Sequence, residues 1–421
     1  MPRNARRTLQ RQIACSRELA AIFPESLQSS TLQQKLARSL AGAALLLALW
    51  QGMASAATIT VTTKDSRVRP DGQCSLIEAI VNANADAAFF SDCEPGSGPD
   101  TIVLPTKGNV SVRAQYDNTY GPTGLPLITS QITIEGNGAR IRGQGNTFRL
   151  FAVGNSGDLA LQNVNLSGGS SFNGGGVFNN GTLTIQDSTI SGNTGDGVSN
   201  HGSLTIENST ISGNKNGAGV SNGGLVLRNS ASSQSPFKTG PFCFHYYSFY
   251  YYSGVYCYYN YSGALTITNS TISKNSGGGI SNKSGTVTIA NSNIEGNGAR
   301  IRGQGNTFRL FAVGNSGGDL SIANSTISKN SAQRGGGIFN RGTFTIENST
   351  ISGNKAGDDG GGIFNASNHN APAGDLSIVD STISENRAKD AGGGLFNDGS
   401  LTMSNTVISN NKARFGPDVF P

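Results

Sequence analysis

Residues 335–365 read GGGIFNRGTFTIENSTISGNKAGDDGGGIFN, and most of the chain is built from copies of this unit. A glycine triplet leads to an apolar residue and an asparagine. A short turn and an alternating apolar–polar run follow, and two more asparagines bracket a further apolar residue. The first asparagine recurs at Asn179, Asn200, Asn222, Asn282, Asn340, Asn365 and Asn397. The second, sometimes an aspartate, falls at Asp187, Asn208, Asn229, Asn269, Asn291, Asn324, Asn348, Asp380 and Asn405. The third falls at Asn193, Asn214, Asn275, Asn297, Asn330, Asn354, Asn386 and Asn411. Short intervals at the second position, 21 residues from 187 to 208 and 25 from 380 to 405, are those of a solenoid.

Phe344-Thr345-Ile346-Glu347 and Leu204-Thr205-Ile206-Glu207 alternate with period two, so one face of each short strand is apolar. The glycines exclude long helices. One unit cannot enclose a core, whereas stacked units can, each strand bonding to its copy in the next coil. Copies run in the same direction, so the sheets are parallel. Three asparagines per unit suggest three corners, because Asn and Gly tolerate the left-handed backbone of a sharp bend. An inward Asn repeated at one corner can also bond its neighbours in a ladder. The sequence therefore predicts an all-β, three-sided parallel β-helix over 125–421, of roughly a dozen coils and roughly 60 Å at the strand spacing.

Residues 1–56 read as an export leader: seven basic residues, the apolar run Leu40–Trp50 and the A-x-A signature Ala54-Ser55-Ala56. Without it the chain holds 31 − 7 = 24 basic and 26 − 2 = 24 acidic residues, so the basic pI comes from the leader and gives no argument for nucleic acid. No later run is long enough to anchor the chain in a bilayer as a helix. The expected location is extracellular or on the outer cell surface. Residues 57–124 read as an N-terminal capping region. Thr58–Val61 is a strand, and Ser75 with Glu78 forms a capping box ahead of a short amphipathic helix carrying Leu76, Ile80 and Ala83. Cys74 and Cys93 are read as a disulfide, the other reading being two buried thiols.

Two stretches depart from the pattern. Ile134–Gly157 recurs unchanged as Ile294–Gly317. The segment 231–262 holds nine of the chain's 11 tyrosines and reads as foreign sequence occupying the space of lost repeat.

Parity makes Phe339, Phe364 and Phe396 an outward aromatic stripe on successive units, suited to a partner or a sugar track. Arg334, Asp358, Asp359 and Asp390 fall in one sector of successive coils. Paired carboxylates beside a base can cleave glycosides or chelate calcium, although Asp and Gly are also ordinary turn residues. The three histidines are scattered, and no metal-ligand spacing, nucleophile–base pair or phosphate-binding glycine motif is present. No catalytic residue, metal or cofactor is assigned.

The segment from Asp71, DGQCSLIEAIVNANADA, resembles the CSLREA-type N-terminal region of secreted bacterial β-helix proteins, with Ile77 where that family has Arg. The repeats resemble the pectin-lyase-like β-helix superfamily and are similar to polymorphic outer-membrane protein repeats. That resemblance implies a right-handed coil. The catalytic patterns of pectin-degrading members are not found, and the fold alone does not fix a function. The expectation is a secreted or surface protein, a non-catalytic binding, adhesin-like or scaffold rod whose partner is carbohydrate or another surface protein. The alternative is a polysaccharide lyase or glycosidase.

Overall fold

Alternating strands of three to five residues, each ended by an Asn or Gly corner, leave the chain one way to bury its aliphatics: coiling on itself. The computed structural model describes residues 56–145, 147–229, 242–248, 252–298, 313–366 and 374–421. The leader 1–56, apart from Ala56, lies outside them, as do parts of the Tyr-rich segment and of the second copy, 294–317. Among the described residues, three long parallel sheets run side by side. Sheet 1 has twelve strands, from Thr58–Thr60 to Ser400–Ser404. Sheet 2 has eleven, from Asn109–Val112 to Val407–Ser409, and sheet 3 has ten, from Phe151–Val153 to Val419–Phe420. Equivalent residues of successive units lie opposite one another: Phe344 faces Leu320 and Leu376, and Ile346 faces Ile322 and Ile378. Each coil sends its aliphatics inward, as with Leu183 and Ile185 from sheet 1, Ile190 from sheet 2 and Val198 from sheet 3, all fully buried.

The corners are not three equal ladders. After sheet 2, a buried column runs Asn193, Asn214, Asn275, Asn297, Asn330, Asn354, Asn386 and Asn411, each amide donating to the next at 2.9–3.3 Å. It ends on the carboxylate of Asp418. After sheet 3, a second column runs from Asn179 to Asn397 at 2.7–3.1 Å and includes Asn315, which the repeat pattern had not singled out. The residues between sheets 1 and 2 do something else. Asp187, Asn208, Asn269, Asn291, Asn324, Asn348, Asp380 and Asn405 take φ of 44–51° and supply the left-handed turn, with one exposed bond from the Asn348 amide to Asn324 Oδ1 at 2.7 Å. The buried bonds there belong to the following serines, each backbone N–H donating to the next coil's Oγ, from Ser188 to Ser381, at 3.0–3.1 Å.

The N-terminal region is a cap and also a coil. The helix Leu76–Ala85 starts at Ser75, whose Oγ accepts the Glu78 N–H while the Glu78 carboxylate accepts the Ser75 N–H. Its apolar face joins the core beside Ile59 and Ile102. Cys74 and Cys93 are disulfide-bonded. The strands Thr58–Thr60, Asp100–Val103 and Asn109–Val112 already belong to sheets 1 and 2. The coil therefore begins well before residue 125; these first turns lack the Asn–Gly corners that mark the later ones.

The coils that flank the Tyr-rich region stack directly on one another. Ser203–Glu207 pairs directly with Ala264–Thr268, Thr210–Ser212 with Thr271–Ser273, and Val220–Asn222 with Ile280–Asn282. No coil is missing. The intervening chain leaves after Asn222 and forms its own antiparallel sheet from Gly224–Asn229, Phe242–Ser248 and Tyr252–Tyr261. Gly263–Thr268 takes the sheet 1 register that Gly224–Asn229 would otherwise supply.

Removing one ladder amide strands partners in two coils. Asn354 donates to Asn386 Oδ1 and Ile327 O, and accepts from the backbone and side chain of Asn330. Asn354→Ala is expected to cost about 2–4 kcal/mol of unfolding free energy in urea. The exposed sheet 1 change Thr345→Ala is expected to stay within about 0.5 kcal/mol.

Candidate functional site

The arc between sheets 2 and 3 is longer than the other corners, and it too stacks coil on coil. Gly357 and Asp358 donate to Ala332 and Gln333 of the coil before, and Lys389 and Asp390 both donate to the Asp358 carbonyl at 3.0 Å. This rung-on-rung backbone brings together the residues picked out from sequence. Arg334 Nε lies 3.1 Å from Asp358 Oδ2 and 3.8 Å from Asp359 Oδ2. Carboxylate oxygens of Asp358, Asp359 and Asp390 lie within 4.8 Å of one another. The other Asp359 oxygen accepts the Ala391 N–H at 3.2 Å. Burial raises the Asp359 carboxyl above the usual range, and the Asp358 charge adds to this; the Ala391 N–H and Arg334 oppose it. The three carboxylates could offer oxygen ligands to a hard cation, with Arg334 competing for two of them.

The aromatic stripe is aligned but not open. Phe339, Phe364, Phe396 and Phe420 stack face to face at 4.8–5.5 Å between centroids, apart from the main core. Phe339 and Phe364 are only 2% and 5% exposed, and Phe396 is half-buried. The alternation correctly turns these rings away from the core. Their burial corrects the expectation of an exposed track. Arg341 lies over Phe339 and Arg334 over Phe364, at 5.2 and 5.4 Å, and Ala366 packs alongside. Each guanidinium covers a ring face by cation–π attraction. Phe178 occupies the same column nearer the N-terminus and is likewise covered, by Tyr120, His201 and Arg149.

Asp196 escaped the sequence reading. It sits in a glycine-flanked corner, where an aspartate looks like turn chemistry, and its Oδ1 accepts the Ala218 N–H at 2.7 Å. Desolvation pushes its carboxyl up to about 6, against the pull of that N–H and of Lys283.

Phe364→Ser installs the residue that the same column carries at Ser199, Ser221 and Ser281. It is expected to cost about 2–4 kcal/mol by urea unfolding, through lost burial and stacking. Arg334→Ala, breaking a half-exposed pair, is expected to cost about 1 kcal/mol or less. For Asp196 the folded state holds the proton more firmly than the unfolded chain. Stability is therefore expected to fall as pH rises from the ordinary 3.8 through about 6. Asp196→Asn keeps an acceptor for Ala218 and should flatten that slope. At pH 7 it should gain on the order of 1–2 kcal/mol over the parent in parallel urea titrations.

Residues 253–416 match the family model described as "Right handed beta helix region". No curated protein matches the chain. Among solved structures it is similar to the one titled "Crystal structure of pectate lyase Pel9A", with 13% identity and a TM-score of 0.37 over 84% of this chain and 79% of that one. The match over 253–416 gives that stretch the hand that strand pairing leaves open, a right-handed coil, and the described residues as a whole form a three-sided parallel β-helix.

Proposed function

We propose that this chain is an exported rod that binds a carbohydrate or another surface protein without transforming it. The observation behind this reading is how the carboxylates best placed for acid–base work are engaged. Arg334 bridges Asp358 and Asp359, and Asp359 also receives the Ala391 N–H of the next coil. Groups engaged in this way join adjacent coils, and a general acid or base needs a free face toward substrate. The Phe364 ring beneath is closed by the same arginine, and Phe339 by Arg341. A disulfide at the N-terminal cap fits an oxidising compartment. Among the described residues no helix is long and apolar enough to cross a membrane.

The competing reading is a lyase or glycosidase that uses Asp359, whose raised carboxyl beside Asp358 and Asp390 has the electrostatics of a proton donor. Purified protein incubated with a panel of acidic polysaccharides is expected to yield neither unsaturated products by ultraviolet absorbance nor new reducing ends. Turnover that disappears in Asp358→Asn or Asp359→Asn would replace the binding reading with the enzymatic one.

A further inference from the structure

Beyond residue 56 the chain has four cysteines, Cys74, Cys93, Cys243 and Cys257. The first two are bonded to one another. The other two lie on the antiparallel sheet that leaves the solenoid after Asn222. Its strand order is Gly224–Asn229, Tyr252–Tyr261, Phe242–Ser248, so the last strand in sequence is the middle one. Phe242–Ser248 pairs along its whole length without a bulge, from Phe242 opposite Tyr258 to Ser248 opposite Tyr252. In that register Cys243 stands directly opposite Cys257.

Opposed positions of an antiparallel pair share a face. Their Cα atoms are about 5.5 Å apart where the pair exchanges backbone bonds and about 4.5 Å apart where it does not. Both spacings fall within the roughly 4.4–6.8 Å that a disulfide spans, so either kind of pair can be bridged without moving the backbone. A slip of one residue would set Cys243 against Tyr256 or Tyr258 and send the two cysteines to opposite faces.

This sheet also lacks what holds register elsewhere. The asparagine and serine columns bypass it, running from Asn222 to Asn282 and from Ser209 to Ser270. Phe242–Ser248 is an edge strand, bonded on one side only. Sheets of so few strands are marginal in water, and an open edge invites pairing with another chain. Register further decides which residues share a face. With Cys243 and Cys257 on one face, Phe242, Phe244, Tyr246, Tyr252, Tyr256 and Tyr258 fall on the other.

We propose that Cys243 and Cys257 form a second disulfide, which fixes the register of this sheet. The link ties the edge strand to the strand that re-enters the solenoid at Gly263. It forms by exchange with an oxidant of the disulfide class, small-molecule or protein-borne. One cysteine thiolate attacks the oxidant's disulfide, giving a mixed disulfide and expelling one oxidant thiolate. The other cysteine thiolate attacks the cysteine sulfur of the mixed disulfide and expels the second. The two cysteine protons pass to the expelled thiolates, and the two electrons lost by the cysteines reduce the oxidant to two thiols. The Cys74–Cys93 bond fits a compartment that supplies such an oxidant. The inference goes beyond the binding reading and stands whatever the rod binds.

The test is a thiol map of the full chain purified in an oxidising glutathione pair, denatured in iodoacetamide without reductant and cut with trypsin. Cys243 and Cys257 fall together on the peptide Thr239–Lys274, which has no internal Lys or Arg and no other cysteine. That peptide is expected to be unalkylated and two hydrogens lighter than after reduction. Cys74 and Cys93 share the peptide ending at Lys107 and give the reference for a closed pair. Cys243→Ser is expected to leave Cys257 open to alkylation. Chymotrypsin is expected to cut the folded parent within 231–262 roughly ten- to a hundredfold more slowly than the double variant Cys243→Ser, Cys257→Ser. Alkylated Cys243 and Cys257 in the parent, or either one joined to another cysteine or to a second chain, would overturn the assignment. A closed pair with equal cleavage of parent and double variant would overturn the claim that the bond holds the sheet.

Discussion

The bond on which this molecule depends runs from one asparagine side chain to the same asparagine one coil further on. A solenoid corner turns the backbone away from its sheets and leaves N–H and C=O groups inside with no strand to pair with. The column from Asn193 to Asn411 solves this with one residue type. Asn354 accepts the backbone N–H of Asn330 and donates to the Ile327 carbonyl, while its amide passes the contact on to Asn386. Aliphatics alone would collapse the coil without fixing its register. The amide columns set register at two corners, the serine column sets it at the third, and every outward position inherits that alignment.

Much of this was legible, because asparagine at fixed spacing beside short alternating strands fits a stacked coil and little else. The limits show in the duplicated stretch. Ile134 lies in a sheet 1 strand and its copy Ile294 in a sheet 2 strand. Asn137 is exposed with φ of 51°, whereas its copy Asn297 is 1% exposed within the ladder. Identical local sequence takes different corners because the coil already formed beside it offers different partners. For the same reason Gly224–Asn229, which reads as a repeat strand, left the solenoid to Gly263–Thr268. Periodicity identified the fold; which copy occupies which rung was decided by neighbours distant in sequence.

The candidate site was legible in the same partial way. Spacing placed Arg334, Asp358, Asp359 and Asp390 together, and they are together. Parity pointed Phe339, Phe364 and Phe396 outward, but parity says nothing about what lies above a face. Arg334 and Arg341 are long enough to cover the rings. The cationic row Lys355, Arg387 and Lys412, which follows three ladder asparagines, went unread, since a lysine beyond a turn is ordinary until its neighbours on adjacent rungs are known.

These outward rows explain how one rod can carry different surfaces. Inward positions tolerate little change, because each ladder amide serves two coils. Outward positions carry no such duty, and a residue repeated there becomes a row whose spacing the backbone sets. In the last coils three such rows lie near one another, the phenylalanines on sheet 3 and the carboxylates and cations on the arc before it. The phenylalanines stack and are covered, the carboxylates meet Arg334, and among the described residues the cations meet no carboxylate. The first two rows satisfy their own interactions within the protein. The third faces outward as a row of like charge at strand spacing, a local positive field whose alignment the backbone sets.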